Sequence, residues 1–215
     1  MYALYVFDLD GTLVDSRRDL ADSANELLEQ CGAPPIDEIE IGRMVGDGAA
    51  ALVARVFAAA ALVQPPDALA RYLAIYDRRL LTHTRAYDGI PDVLDRLRAR
   101  APLAVLTNKP LASTRRLLAG LDLARFFPES MVIGGDGPFP RKPDPRSLKH
   151  LAALAGAPIA TTLLVGDSAI DFRTARGAGA SICLARYGFG FATMTAAEVG
   201  EAPLAIDEPR ALVDV

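Results

Sequence analysis

Cysteine and histidine are scarce in this 215-residue sequence, which contains two residues of each. Cys31 and Cys183 lie far apart and outside any Cys/His spacing that holds zinc, so neither a disulfide framework nor a zinc site is expected. We expect both thiols to pack as small apolar groups in a reducing compartment, which predicts a cytoplasmic location. His83 and His150 belong to no recognisable motif, and we expect them to be structural or exposed.

Basic clusters and long hydrophobic runs are also missing. The longest apolar stretch, residues 49–63, is interrupted by Arg55 and is shorter than the roughly 20 residues that cross a bilayer, so no membrane span is expected. No basic region precedes the apolar residues 2–7, so no secretory signal is expected. The formal net charge is −4, with 27 acidic residues against 23 Lys and Arg. A nucleic-acid partner is not expected, because neutralising a phosphate backbone requires clustered cations.

The composition is that of a globular protein, with 51% hydrophobic and 23% charged residues. A disordered chain is excluded, because so many apolar residues can form a core. At roughly 150 residues per domain, the length allows one large domain or a medium domain that carries an insertion.

Short apolar runs alternate with helical patterns along most of the chain. The runs are typical of strands that are covered on both faces. Strands are expected at residues 2–7, 103–106, 131–133, 163–165 and 181–184. Helices are expected at residues 90–100, 111–121, 145–155 and 169–178. This alternation predicts an α/β fold with a mostly parallel, Rossmann-like sheet.

One long segment, from residue 16 to about residue 85, breaks the alternation, because it contains no convincing strand. Helical patterns between turns rich in Gly and Pro occupy residues 18–31, 49–62 and 67–82. We therefore predict an all-helical cap inserted into an α/β core, with the cap at residues 16–85 and the core at residues 1–15 and 86–215. Helices that simply cover a sheet face are the alternative, but a right-handed crossover needs only one helix. The cap is expected to hinge near residues 15–16 and 85–89.

The first candidate site follows the first predicted strand. Asp8 and Asp10 lie two residues apart, which places both carboxylates on one face of an extended chain at the carboxyl end of the strand. Open α/β sheets bind their ligands at this edge. Gly11 lets the chain turn sharply beside a ligand. Asp-x-Asp-Gly also occurs in calcium loops, but no Glu stands at the twelfth loop position here.

Three further polar sites follow or flank other predicted elements. Thr107 and Asn108 offer a hydroxyl and an amide just before a helix, an arrangement that favours anion binding. Lys142 is followed by prolines that stiffen its loop. Asp167 ends a strand, and Asp171 follows one helical turn later. We expect all of these to gather with the first pair of aspartates in one crevice.

Several carboxylates in one crevice would repel each other or change their pKa values unless a cation joined them. Mg²⁺ fits best, because it prefers oxygen ligands and usually binds through one or two carboxylates together with a substrate phosphate. The residues thus predict a magnesium site.

The haloacid dehalogenase-like hydrolase superfamily has a four-motif signature that this sequence resembles at Asp8–Thr12, Thr107–Asn108, Lys142–Pro143 and Gly166–Asp171. The helical insertion after the first motif is similar to the C1-type cap of that superfamily, so the resemblance covers essentially the whole chain. A second Asp two residues after the first matches its phosphatases and phosphomutases, whereas the dehalogenases lack it. The resemblance implies a Mg²⁺-dependent phosphomonoesterase that acts on a small phosphorylated metabolite.

The resemblance also implies a role for each carboxylate. Asp8 would be the nucleophile that forms an aspartyl-phosphate. Asp10 would protonate the leaving group and then deprotonate the attacking water. Mg²⁺ would be held by the Asp8 carboxylate, the Asp10 backbone carbonyl and Asp167. Asp171 would orient Lys142 or a metal-bound water.

The remaining core motifs are implied to bind the phosphate. Thr107 and the Asn108 amide would hold the phosphoryl oxygens, and Lys142 would stabilise charge on the transferring group. The loop at residues 187–190 could border the same pocket, and no role is assigned to it.

A stretch of the predicted cap resembles phosphoglycolate phosphatases at Arg43, Gly46 and Gly48. The two glycines would expose backbone N–H groups at a helix start, and Arg43 could meet a carboxylate on the substrate. A plain turn between helices with Arg43 in solvent is the alternative.

The resemblance favours 2-phosphoglycolate as the substrate and leaves other functions open. Close relatives act on sugar phosphates such as N-acetylmuramic acid 6-phosphate, or on pyrophosphate, and a phosphomutase would use the same pair of aspartates. A phospho-accepting signalling or binding protein is a further alternative, although Asp10 argues against it because a stable signal does not need a base that speeds its hydrolysis. The oligomeric state is left open.

Overall fold

The computed structural model describes residues 2–215; Met1, with which the predicted core begins, lies outside the described residues. Its strands are β1 (Leu4–Phe7), β2 (Val14–Asp15), β3 (Arg85–Ala86), β4 (Leu103–Leu106), β5 (Val132–Ile133), β6 (Thr162–Gly166), β7 (Ser181–Ala185) and β8 (Leu204–Ile206). Its helices are α1 (Arg17–Glu29), α2 (Glu38–Arg43), α3 (Ala49–Ala59), α4 (Ala68–Arg79), α5 (Ile90–Arg98), α6 (Leu111–Gly120), α7 (Arg146–Leu154), α8 (Ala169–Ala178) and α9 (Ala196–Glu201).

A parallel sheet forms the centre of the fold. Within residues 2–215, six strands lie side by side in the order β5-β4-β1-β6-β7-β8, and each neighbouring pair is parallel. In β1, Tyr5 and Phe7 pack into one apolar cluster, whereas Leu4 and Val6 pack into another on the opposite face. This burial on both faces explains the continuous apolar run in the sequence. The predicted α/β fold with a mostly parallel sheet is confirmed.

The predicted strands and core helices lie within about two residues of the observed ones, and the misses are short elements. The sequence interpretation missed α2, which has six residues, and the two-residue strands β2 and β3. Elements of this length give too few residues for a hydrophobic period to be recognised. It also missed α9 and β8, which follow the last predicted strand, and β8 forms one edge of the sheet.

Helices α1 to α4 lie between β2 and β3, and we refer to residues 17–79 as the helical insertion. The two chain segments that connect it to the sheet are joined to each other, because β2 and β3 pair in antiparallel fashion. Buried Asp19 in α1 also holds the segment before β3, because it accepts hydrogen bonds from the backbone N–H of His83 at 3.0 Å and of Thr84 at 2.8 Å. Buried residues of the insertion and of one sheet face belong to one apolar cluster. The division into a cap and a core at residues 16 and 85 stays a prediction.

The structure also bears on the predictions about the thiols and about membrane spans. Cys183 is buried in β7, where burial raises the pKa of its thiol to about 12, and Cys31 is partly buried. Both thiols are free in the described chain. Across residues 2–215, no helix combines the length and the apolar character that a membrane crossing requires. The cytoplasmic location and the lack of a nucleic-acid partner stay predictions.

Candidate active site

Polar side chains gather at the carboxyl edge of the sheet, where the strand order reverses between β1 and β6. Asp8 directly follows β1, and Asp167 directly follows β6. The backbone N–H of Asp8 donates to the Val165 carbonyl at 2.9 Å, which holds the two strand ends together. Thr107 follows β4 on the other side of β1. Ligands of open α/β sheets bind in the crevice that such a reversal creates.

Three buried carboxylates form a cluster in this crevice. One oxygen each of Asp8, Asp167 and Asp171 lies within 4.8 Å of the others. Burial and the charge of Asp171 raise the pKa of Asp8 to about 7, although Lys142 opposes this shift. Burial and the two neighbouring carboxylates also raise the pKa of Asp167. A cluster with this excess of negative charge can hold a cation.

Lys142 links two members of this carboxylate cluster. Its Nζ lies 2.8 Å from Oδ1 of Asp8 and 2.6 Å from Oδ1 of Asp171, and its side chain is 2% exposed. Burial alone would lower the pKa of Lys142, but the charges of Asp171 and Asp8 outweigh it and raise the pKa. The other oxygen of Asp171 accepts the Ser168 hydroxyl at 2.6 Å, where both residues cap α8. Asp171 therefore fixes the position of the Lys142 ammonium.

Asp10 has a cation of its own, which the sequence interpretation missed. Both oxygens of its carboxylate accept hydrogen bonds from Lys109 Nζ, each at 2.9 Å. The Ser16 hydroxyl donates to Oδ1 at 2.5 Å. The Lys109 side chain is 4% exposed, so this ion pair is buried beside the carboxylate cluster. Asp10 is therefore oriented by its own pair of donors and not by Lys142.

The Asn108 side chain connects the loop after β4 with the loops that contain Gly46 and Lys142 through hydrogen bonds. Its Nδ2 donates to the carbonyls of Gly46 and Lys142, both at 2.9 Å, and its Oδ1 accepts the Lys142 backbone N–H at 2.8 Å. Both hydrogens of the carboxamide are thus used within the protein. The Asn108 backbone N–H, in contrast, donates to no protein acceptor in the part of the chain that is described. Of the N–H groups of Asn108, only the backbone one is therefore available to a ligand.

Glycines allow the loop at residues 187–190 to pack against the carboxylate cluster. The backbone N–H of Gly190 donates to Oδ2 of Asp167 at 2.8 Å. A Cβ at Gly188 would lie 2.2 Å from the Gly11 carbonyl oxygen and 2.3 Å from Cβ of Asp167, which is too close for any side chain. Gly11 itself has a φ of +86°, and a Cβ there would lie 1.9 Å from Oδ2 of Asp167. The loop therefore positions Asp167, a function that the sequence did not reveal.

The helical insertion lies over a partly open cavity of about 50 Å³ beside these groups. From the core, the lining includes Asp8, Asp10, Thr107, Asn108, Lys109 and Asp167. From the insertion it includes Gly46, Gly48, Tyr72 and Tyr76. The predicted substrate ligand Arg43 ends α2 and is exposed, and it is not part of this lining. The two predicted glycines are therefore brought to the site, whereas Arg43 is not.

The family model described as haloacid dehalogenase-like hydrolase matches residues 5–185. The chain belongs to this family. The matched region contains the three clustered carboxylates, Asp10 and both buried lysines, so the family resemblance found in the sequence is confirmed.

Individual relatives of this haloacid dehalogenase-like hydrolase are phosphatases by name. A phosphoglycolate phosphatase of Rhodospirillum rubrum is 43% identical over 193 residues, which cover 86% of this chain and 79% of the relative. One of Chromobacterium violaceum is 37% identical over 199 residues, which cover 90% and 89%. The crystal structure of a predicted phosphoglycolate phosphatase of Haemophilus somnus superposes with a TM-score of 0.90 at 27% identity and covers 99% of this chain and 97% of that one.

Three residues of this hydrolase site were missed by the sequence interpretation: Lys109, Tyr72 and Tyr76. The loop at residues 187–190 was expected to border the pocket without an assigned role, and Phe189 and Gly190 line the cavity. Lys109 carried a usable signal, since it stands directly after Thr107-Asn108 at the end of a strand. The two tyrosines read as ordinary core positions on one face of a helix.

Proposed function

We propose that this hydrolase is a Mg²⁺-dependent phosphatase that hydrolyses 2-phosphoglycolate, or a similarly small phosphate ester, through an aspartyl-phosphate on Asp8. The observation that carries this proposal is the buried contact of 2.8 Å between the Asp8 carboxylate and the Lys142 ammonium, beside two further carboxylates. Relatives named phosphoglycolate phosphatase, at up to 43% identity among those described above, support the substrate.

The carboxylate cluster suits a divalent cation with oxygen ligands. When all three carboxyls are ionised, they bring three negative charges and Lys142 one positive charge, so two negative charges remain for a bound cation to balance. Asp171 uses both oxygens on protein donors. Asp167 accepts the Gly190 N–H on Oδ2, but its Oδ1 has only a long contact of 3.5 Å with the Thr12 hydroxyl. Asp8 and Asp167 would therefore hold Mg²⁺, together with the backbone carbonyl of Asp10. When bound, Mg²⁺ would reduce the repulsion between carboxylate and phosphate and polarise the phosphoryl group.

Asp8 would attack the phosphorus atom with Oδ2. Its Oδ1 accepts the Leu9 N–H at 2.7 Å and contacts Lys142, whereas Oδ2 accepts no hydrogen bond from the described residues. A bond forms between Oδ2 and phosphorus and the ester P–O bond breaks. Asp10 would take up a proton from solvent as the anionic substrate binds and would give that proton to the leaving oxygen. Water then attacks phosphorus, Asp10 takes its proton, and the Asp8 carboxylate is released with inorganic phosphate.

Three donors would hold the phosphoryl oxygens during these steps: the Thr107 hydroxyl, the Asn108 backbone N–H and the Lys142 ammonium. The Asn108 side chain would not contribute, because its two hydrogens are bound to protein carbonyls. Its role is to position the Lys142 loop. These groups are held before substrate binds, so little reorganisation would accompany the transfer.

The cavity favours a small substrate. At about 10–15 Å³ per water-sized group, a cavity of about 50 Å³ holds only a few such groups. A phosphate joined to a two-carbon acid is the smaller of the two candidate esters, because an amino-sugar phosphate carries a six-membered ring in addition. The size thus favours 2-phosphoglycolate over N-acetylmuramic acid 6-phosphate.

The test is the initial rate of phosphate release with Mg²⁺ from 2-phosphoglycolate, an amino-sugar phosphate and pyrophosphate. We expect 2-phosphoglycolate to give the highest kcat/KM. Asp8→Asn should lose activity by about a thousandfold or more, because it removes the nucleophile. Asp214→Asn, which removes an exposed carboxylate in the last turn of the chain, is the matched control and should keep the activity. Phosphate release that survives Asp8→Asn would overturn the proposal.

A further inference from the structure

Two tyrosines of α4 hold unpartnered hydroxyl groups at the cavity. Tyr72 is 1% exposed and Tyr76 is 3% exposed, and both line the cavity with Asp10 and Lys109. Their hydroxyl oxygens are fully buried, and neither has a hydrogen-bond partner anywhere in residues 2–215. Buried hydroxyl groups are nearly always hydrogen-bonded in folded proteins. Two such groups side by side therefore point to a ligand that supplies the acceptor.

The geometry of the two phenols allows both hydroxyls to donate to the same ligand. They lie one helical turn apart on α4, with ring planes within 4° of parallel and centroids 6.0 Å apart. Burial raises the pKa of both hydroxyls above the ordinary value of 10.0, so both stay protonated and act as donors at neutral pH. They form a pair of neutral O–H donors.

Lys109 adds a positive charge to this pair. Its ammonium donates two hydrogen bonds to Asp10 at 2.9 Å and lies 4.5 Å from the centroid of the Tyr76 ring. An ammonium has three N–H donors, so one remains beyond those used by Asp10. The two phenols and the remaining N–H of Lys109 are three donors that no acceptor among the described residues satisfies. An anion with two oxygens could accept from them together.

We propose that Tyr72, Tyr76 and Lys109 form a subsite that binds a carboxylate on the leaving-group side of the substrate. The inference rests on the proposed phosphatase function and names the residues that would recognise the acid. The subsite adjoins Asp10, which would protonate the leaving oxygen, so the carboxylate lies close to the ester oxygen. This location suits a substrate in which one carbon separates the two groups. It also gives the exposed Arg43 no part in recognition.

The experiment compares 2-phosphoglycolate with ethyl phosphate, which has the same two-carbon length but no carboxylate. The measured quantity is the ratio of the two kcat/KM values. We expect the unaltered chain to prefer 2-phosphoglycolate at least a hundredfold. Tyr72→Phe and Tyr76→Phe should each reduce this preference about tenfold, because each removes a hydrogen bond to a charged acceptor. The double variant should reduce it further.

The ratio separates recognition from general damage, because a disturbed fold slows both substrates alike. Tyr2→Phe, which removes a hydroxyl at the opposite edge of the sheet just before β1, is the matched control and should leave the ratio unchanged. A second measurement uses the unaltered chain alone. Glycolate should inhibit at a concentration at least tenfold lower than its neutral amide, glycolamide, because only glycolate carries the charge that Lys109 recognises.

Each outcome bears on one of the two claims. If the unaltered chain releases phosphate from neither substrate, the proposed function fails and this inference fails with it. If it hydrolyses 2-phosphoglycolate but shows no preference over ethyl phosphate, only the inference is overturned. An unchanged ratio in both Tyr→Phe variants, or equal inhibition by glycolate and glycolamide, overturns the inference as well. A reduced ratio together with selective inhibition by glycolate supports it.

Discussion

Replacing Lys142 by Met would remove the one cation that touches both Asp8 and Asp171 within residues 2–215. Methionine fills a similar volume without charge, so packing is kept and the electrostatic balance is changed. The carboxylate cluster would then hold three buried acidic groups with no ammonium from the described residues in contact. Since buried carboxylates are stable only when they are paired or protonated, the folded state should lose stability.

The magnitude follows from the burial of the Lys142 contacts. Removing one partner of a buried ion pair costs about 3–5 kcal/mol. This full range of free energies applies to Lys142, because its side chain is 2% exposed and that of Asp171 is 0% exposed. For a domain of this size, roughly 2–4 °C are lost per kcal/mol, which corresponds to about 6–20 °C in Tm.

Urea unfolding and thermal melting followed by circular dichroism, with a chelator and no added metal, measure this loss. Lys149→Met is the matched control, because Lys149 is exposed on α7. It should change the free energy of unfolding by less than about 0.5 kcal/mol. A second arm adds Asp171→Asn to Lys142→Met, which removes one of the carboxylates left without a partner. This addition should recover about 1–3 kcal/mol.

Two results would refute the reasoning. One is a Lys142→Met variant as stable as Lys149→Met, which would mean that the ammonium is not needed to keep the carboxylates buried. The other is a double variant less stable than Lys142→Met alone, since that would show that Asp171 stabilises the fold without its cation.

Three further predictions concern the groups around this cluster. Gly188→Ala should lower the free energy of unfolding by about 1–3 kcal/mol in urea titrations, because its Cβ would meet Asp167 at 2.3 Å. Mg²⁺ at about 100 times its Kd should raise the free energy of unfolding by about 2.7 kcal/mol in melts with and without the ion, and Asp167→Asn should lose most of this gain. Tyr72→Phe and Tyr76→Phe should each stabilise the free protein by about 1 kcal/mol in urea titrations, because each removes a buried hydroxyl without a protein partner.

Each of these three predictions has a control or an outcome that would contradict it. Gly200→Ala in α9 has open space around its Cβ and should not destabilise the protein, so a similar loss at both glycines would speak against the close contact at Gly188. An equal Mg²⁺ effect in the chain with Asp167→Asn would place the ion elsewhere. A loss of stability in both Tyr→Phe variants would mean that the hydroxyls are satisfied within the folded protein.

The core of the fold and its four motifs could be predicted because each signal is local. An apolar run followed at once by Asp8 or Asp167 marks a buried strand and its carboxyl end, and parallel strands bring those ends together. The same reasoning brings Lys109 to this edge of the sheet, because it stands directly after Thr107 and Asn108. Its pairing with Asp10, 99 residues away, was not predicted, because that contact depends on how β1 and β4 pack side by side.

The site features of the helical insertion could not be predicted from the sequence for a different reason. Tyr72 and Tyr76 follow the same helical spacing as any core-facing pair, and nothing in the sequence says that their hydroxyls lack partners. Arg43 resembled a substrate ligand by its neighbours, but its direction depends on α2, a helix too short to be recognised. The orientation of a side chain at a helix end is a tertiary property.

The central claim is that Asp8 forms a covalent bond to phosphorus within this site. Mass spectrometry of the protein, acid-quenched within a single turnover of 2-phosphoglycolate and then digested, tests it most directly. The account predicts a phosphoryl group on the peptide that contains Asp8, and none on that peptide from the Asp8→Asn variant. Phosphate released at the normal rate while that peptide stays unmodified, or carries its phosphoryl group on another residue, would contradict the account.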